Sequence, residues 1–214
     1  MAEKSKGQSL LENAYKLATP DDNKVYYDEF ASSYDAEFAT VLGWHYPKAI
    51  ASIYLNQATK QDRPIADIGC GTGFVAEALE CSPNDIDGID ISPEMLRLAG
   101  AKGLYRRLIA ADLTQSLEVL GHGYGGVVSA GTFTHGHLGP ESLRNLLSIA
   151  RGNALFVIGI NEAHFGKHGF GDVLNGMLQD GFIRGVKTDR RAMYDKQSHE
   201  HSGDHALIVQ FRKV

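Results

Sequence analysis

Ile65-Ala66-Asp67-Ile68-Gly69-Cys70-Gly71-Thr72-Gly73-Phe74 decides the fold of this chain. A short apolar strand runs into three alternate glycines, and Val75, Ala78 and Leu79 then follow at helical spacing. Glycine permits close backbone approach and unusual dihedral angles, and the start of a helix presents free N–H groups. A ligand's polar tail can therefore rest directly on Gly69, Gly71 and Gly73. Without a ligand the same residues make only a tight strand-to-helix turn, so the flanking sequence has to decide between the two.

Two further elements follow in order. Ile86-Asp87-Gly88-Ile89-Asp90-Ile91-Ser92-Pro93-Glu94-Met95 is a second apolar strand ending in an acid, and Asp90 lies seventeen residues after Gly73, as a βαβ unit requires. A carboxylate there can accept both hydroxyls of a ribose, with Ile91 and Met95 flanking an adenine ring. After a third strand, Ala111-Asp112-Leu113 offers the Asp112 carboxylate to an adenine amino group, with Leu113 beside it. The dinucleotide fingerprint Gly-x-Gly-x-x-Gly competes for the same turn. Its third small position falls here on Phe74, whose bulk opposes close helix–strand packing. Asp67, two residues before the first glycine, would face pyrophosphate in a nicotinamide site. Toward S-adenosylmethionine it meets, directly or through water, a cationic amino-acid end. The expected cofactor is therefore S-adenosylmethionine, with S-adenosylhomocysteine as product. A nicotinamide-dependent oxidoreductase is the disfavoured alternative among enzymes.

In these motifs the sequence resembles the class I S-adenosylmethionine-dependent methyltransferases, from about Asp22 to the C-terminus. A narrower resemblance is to the methyltransferase-like proteins named for the Williams–Beuren syndrome region and their bacterial relatives. It rests on Tyr27-Asp28-Glu29-Phe30-Ala31-Ser32-Ser33-Tyr34-Asp35 and on Ser129-Ala130-Gly131-Thr132-Phe133-Thr134-His135-Gly136-His137-Leu138-Gly139-Pro140-Glu141. The resemblance implies the fold, the cofactor and methyl transfer, and leaves the acceptor undefined. The superfamily's Asn/Asp-Pro-Pro-Tyr/Phe motif for exocyclic and amide nitrogens is replaced here by Ser129-Ala130-Gly131-Thr132. That departure favours a small-molecule acceptor over DNA or a protein glutamine. A non-catalytic partner protein that binds S-adenosylmethionine or S-adenosylhomocysteine would carry the same cofactor motifs.

The rest of the chain reads as a Rossmann-like α/β fold. From Pro64 onward short apolar runs alternate with helical stretches, the signature of a mostly parallel sheet. Strands are expected near 65–68, 86–89, 105–110, 126–129, 155–160, 182–187 and 206–211. Helices are expected near 74–80, 93–101, 140–150 and 172–179. This gives seven strands with helices on both faces and an antiparallel last strand. Residues 1–60 read as a helical cap of the same domain, with 61–214 as the α/β body. Leu10, Leu11, Ala14 and Leu17 recur at helical spacing before Thr19-Pro20, and Asp21-Asp22-Asn23 supplies caps for a second helix. Tyr27, Phe30 and Tyr34 share one face of that helix, and Ile50, Ile53 and Tyr54 mark a third.

In open α/β sheets the reacting groups gather beyond the carboxyl ends of the strands, so Ser129–Leu138 should line the transferred methyl, with Ser129 and Thr134 toward the cofactor. Methyl transfer needs a base only if the acceptor must lose a proton. His135 and His137 are the candidate catalytic residues, because a histidine titrates near neutrality and both follow the fourth strand directly. Tyr27 and Tyr34 are expected to reach the cofactor from the cap. His199-Glu200-His201 with His205 has no thiol and no capped helix to fix it, so no metal is expected.

Composition narrows the partners. The net charge is −5, with 43% apolar and 9% aromatic residues, and the cations are scattered apart from Arg106-Arg107 and Arg190-Arg191. Nothing there would neutralise a phosphate backbone, so nucleic acid is not an expected partner. No apolar run reaches membrane-spanning length, and Met1–Gly7 has no apolar core. Cys70 and Cys81 are too far apart for a Cys-x-x-Cys motif. The expected setting is the cytoplasm and the expected partner a small-molecule substrate, with monomer and homodimer both open.

Overall fold

The computed structural model describes residues 6–14, 16–35, 43–194 and 200–214. Its sheet has seven strands: β1 (Ile65–Ile68), β2 (Ile86–Asp90), β3 (Arg107–Ala110), β4 (Tyr124–Phe133), β5 (Ala150–Asn161), β6 (Ile183–Ala192) and β7 (His205–Lys213). The order across the sheet is β3-β2-β1-β4-β5-β7-β6. Strands β1 to β5 pair in parallel, while β7 runs antiparallel to both β5 and β6. The central strands β1 and β2 are buried along their whole length, which is why they read as continuous apolar runs broken only by aspartate and glycine.

Among the described residues eight α-helices surround the sheet: α1 (Lys6–Ala14), α2 (Pro20–Ser33), α3 (Tyr46–Leu55), α4 (Phe74–Leu79), α5 (Pro93–Ala101), α6 (Glu141–Leu146), α7 (Glu162–Lys167) and α8 (Phe170–Gln179). Two apolar cores fill the layers. One holds Phe30, Tyr46, Ile50, Val75, Leu79 and Met95 from α2 to α5. The other, on the opposite face, holds Leu143, Leu146, Phe170, Leu174 and Met177 from α6 and α8. Of the three cap helices, α3 belongs to the helical layer itself, because Tyr46, Ile50 and Tyr54 are buried with β1, β4 and β5 residues in one cluster.

Several boundaries differ from the sequence reading. Thr19-Pro20 does not end a helix so much as begin one. Thr19 is the N-cap of α2 in a capping box with Asp22, and Pro20 occupies the first turn, where its missing N–H costs nothing. The expected helix 140–150 stops at Leu146, and β5 starts at Ala150, passing a left-handed Asn153 and an irregular pairing before the regular register from Leu155. Strand β4 continues four residues past Ser129 through a register shift. Helix α7 is an addition, capped by the Asn161 side chain accepting from His164 N–H at 3.1 Å. Tyr105 lies ahead of β3, not in it.

Candidate cofactor and acceptor site

The carboxyl ends of β1, β2, β3 and β4 open onto one cleft of about 900 Å³, at the point where the strand order reverses between β1 and β4. Helix α2 covers it. Its floor is the glycine turn. Gly69 has φ +64°, and a Cβ there would overlap the Thr132 hydroxyl, which donates to the Ile68 carbonyl at 3.0 Å. Only glycine fits both the dihedral angle and the space.

Asp90 organises the turn. Gly71 N–H donates to its Oδ2 at 2.8 Å and Ser92 N–H to its Oδ1 at 2.9 Å. Burial pushes this carboxyl above the usual carboxylate range against the pull of those N–H groups and of Ile91. Ser92 also caps α5, its Oγ accepting from Met95 N–H at 3.1 Å. Ile91, Met95 and Leu113 form apolar walls beside Asp90, and Asp112 closes that end of the cleft. Asp112 Oδ1 accepts from the Thr114 N–H at 2.9 Å and hydroxyl at 2.7 Å, a local turn that fixes the carboxylate.

Ten of the expected site residues line this cleft together: Tyr27, Tyr34, Gly69, Gly71, Asp90, Ile91, Met95, Asp112, Leu113 and His137. Asp67, Gly73 and Ser129 do not; they stand behind the turn and support it. Tyr105 donates to Asp67 Oδ2 at 2.8 Å and its ring lies 3.3 Å from where a Gly73 Cβ would sit. Burial raises the Asp67 carboxyl to about 7, partly offset by the Tyr105 hydroxyl. Ser129 Oγ donates to the Ile68 carbonyl at 2.8 Å. Thr134 and His135 line instead a second cavity of about 450 Å³, and Tyr27, Tyr34 and His137 line both.

Burial and the neighbouring His164 and His135 depress the His137 ring to about 4, so it is neutral at physiological pH. His135 is also lowered, by burial and then by the Lys167 cation. Among the described residues no group of three or more His, Cys, Asp or Glu could hold a metal ion. His199 lies outside the described residues, while His201 Nδ1 sits 3.2 Å from Asp204.

The sequence reading missed Asn23 and Trp44, which line the cleft, and took in Thr132, which also lines it, only within the stretch Ser129–Leu138. Asn23 Nδ2 donates to the Gly136 carbonyl at 2.7 Å and the Thr19 carbonyl at 2.9 Å, joining α2 to the loop after β4. Those two bonds fix the amide's orientation and leave its Oδ1 buried without a hydrogen-bond partner among the described residues. A buried Asn near a helix start carries no periodicity signal. Trp44 meets Tyr34 and Phe74 edge-on at 6.3 and 5.9 Å, so Phe74 packs against rings of the cap.

Residues 65–152 match the family described as a methyltransferase domain. Over 95 residues the chain is 40% identical to human methyltransferase-like protein 27, a match covering 42% of this chain and 38% of the human protein's length. Among solved structures it superimposes on a TehB-like S-adenosylmethionine-dependent methyltransferase from Corynebacterium glutamicum, with TM-score 0.60 and 20% identity over 89% of this chain and 99% of that one. Magnesium protoporphyrin IX methyltransferase from Synechocystis, solved with bound S-adenosylmethionine, gives TM-score 0.52 at 16% identity over 90% of this chain and 83% of that one. The fold is the Rossmann-like fold of these methyltransferases.

Proposed function

We infer that this chain, with a methyltransferase domain at residues 65–152 on a class I fold, is an S-adenosylmethionine-dependent methyltransferase acting on a small-molecule acceptor. One observation carries the reading. The glycine turn, Asp90 and Asp112 line a single cleft in the order in which the cofactor's amino-acid end, ribose and adenine would need them. The fit is chemical. Gly69 and Gly71 leave room for a ligand's backbone-like tail, Asp90 has a carboxylate for a diol, and Ile91, Met95 and Leu113 give flat apolar walls. Asp67 supports the turn from behind, its Oδ2 accepting from the Tyr105 hydroxyl.

When bound, the cofactor supplies an electrophilic methyl group on a sulfonium. The protein's own task is to hold both partners and exclude water. Alignment of reactants can supply much of the rate of such a displacement. Tyr27, Tyr34 and Trp44 line both the cleft and the second cavity, and we read His135 and His137 as the groups that take a proton where the acceptor carries one. We read residues 1–60 as a cap of the same domain and the cytoplasm as its setting. No described helix is long and apolar enough to cross a membrane.

Calorimetry tests the reading. One S-adenosylmethionine or S-adenosylhomocysteine site per chain is expected, with S-adenosylhomocysteine released on incubation with a metabolite panel. Binding of NADH without S-adenosylmethionine would overturn the assignment. Cofactor binding without any turnover would favour a partner protein over an enzyme.

A further inference from the structure

The second cavity adjoins the cofactor cleft, since Tyr27, Tyr34, Trp44, Gly131 and His137 line both. Its walls are largely aromatic. Tyr27 meets Tyr34 edge-on at 6.2 Å, Tyr34 meets Trp44 at 6.3 Å, and Tyr194 and Met193 complete the far side. None of the described lining residues is Lys, Arg, Asp or Glu, so the described lining offers an acceptor carboxylate or phosphate no paired cation. His137 Nε2 is buried and has no hydrogen-bond partner among the described residues. An unsatisfied buried nitrogen is costly, and a ligand that completes it gains accordingly.

We propose that this second cavity holds the methyl acceptor, and that the acceptor is an uncharged aromatic molecule bearing an O–H, S–H or ring N–H beside His137 Nε2. The proposal rests on the S-adenosylmethionine reading of the adjoining cleft. The acceptor's heteroatom forms the new bond to the methyl carbon as the carbon–sulfur bond breaks, and that bond's electron pair stays on sulfur. The heteroatom's proton passes to His137 Nε2 and from there to water. Face and edge contacts with four rings would favour flat substrates.

Protein saturated with S-adenosylhomocysteine is titrated with para-fluorophenol, para-fluorothiophenol and para-fluorobenzoate, and fluorine NMR line broadening reads binding without turnover. The phenol and, at a pH low enough to keep it protonated, the thiol should broaden, and the benzoate anion should not. Tyr194→Ala should abolish the broadening while S-adenosylhomocysteine affinity stays within about twofold, since Tyr194 lines only the second cavity. Failure of S-adenosylhomocysteine to bind would sink the cofactor reading itself. Bound S-adenosylhomocysteine with benzoate preferred, or with no broadening by the phenol or the thiol, would overturn the acceptor proposal alone. For the base, His137→Gln should cut methylation of the phenol by on the order of a hundredfold, within the usual range for acid–base catalysis, while the glutamine oxygen can still accept the phenol O–H and its broadening persists. Equal losses of broadening and of methylation would show that His137 only shapes the cavity.

Discussion

Ser92 Oγ donates to Asp28 Oδ1 at 2.6 Å, and through that bond the cap helix α2 is tied to the first turn of α5. Glu94 N–H adds a second bond to the same oxygen at 3.3 Å, and Lys24 pairs with the other oxygen at 3.1 Å. Burial works to raise the Asp28 carboxyl, but Ser92, Glu94 and Lys24 together hold it below the usual carboxylate range. Ser92 in turn donates its N–H to Asp90, so cap, helix start and the candidate ribose carboxylate meet at one residue.

Asp28→Ala should therefore act on the cofactor without touching it. Loss of the tie is expected to cost about 1 kcal/mol of stability, the worth of an ordinary hydrogen bond, and to weaken S-adenosylmethionine binding several-fold. Thermal melts with and without cofactor check it. An unchanged affinity would mean that α2 holds its place without this bond.

Asp90→Ala removes both the candidate ribose acceptor and the carboxylate that orders Gly71 N–H and Ser92 N–H. A buried, charge-assisted bond contributes on the order of 1.5–3 kcal/mol, so affinity should fall by roughly tenfold to a hundredfold. Calorimetry reads this directly, and an intact affinity would remove Asp90 from the site.

Tyr27 and His135 should separate by readout. Tyr27 borders both cavities, so Tyr27→Ala is expected to weaken cofactor binding with only a modest fall in melting temperature. A large melting shift with affinity intact would mark it as packing alone. His135 borders only the second cavity. His135→Ala should lower turnover and leave S-adenosylmethionine affinity unchanged, and undiminished turnover would leave alignment as the mechanism on that side.

Two buried aspartates give stability opposite slopes with pH. Burial works to raise Asp87, but bonds from Arg106, Arg107 and Tyr124 outweigh it and depress the carboxyl to about 2. Its contribution of about 2 kcal/mol is present above pH ~4 and lost as pH falls toward 2. Asp67 is the reverse, raised by burial to about 7. The folded state then holds a proton that the unfolded state has released, so stability falls as pH rises from about 4 to 7. Urea titrations across pH 2 to 8 should show a maximum near pH 4 in the contribution of this pair. Asp67→Asn should flatten the upper slope, and an unaltered slope would place the proton elsewhere.

Much of the site was legible because its chemistry is local. A strand followed by alternate glycines, an acid seventeen residues later and an Asp after the next strand are each set by short-range backbone geometry. The capped start of α5 at Ser92-Pro93 was legible for the same reason. The approach of Thr132 to Gly69 was not, because it comes about only through a register shift in β4 that periodicity does not record. Asp67, Gly73 and Ser129 carry a signal of position but not of direction, and their side chains or backbone turn to Tyr105 and Ile68 instead of the cleft.

The sequence by itself determined the order of strands and helices, the glycine turn and the identity of the acids at strand ends, because these follow from neighbouring residues and their spacing. Only the tertiary structure decided what α2 covers and how the histidines differ. Asn23 reaches Gly136, Asp28 reaches Ser92 and Thr72 Oγ1 donates to Asp35 at 2.5 Å, contacts spanning 37 to 113 residues of chain. The separation of His137, on the wall common to both cavities, from His135, confined to the second, likewise arises from how the loop after β4 folds against the cap. Long-range packing sets burial, and burial sets which polar groups are left to meet a ligand.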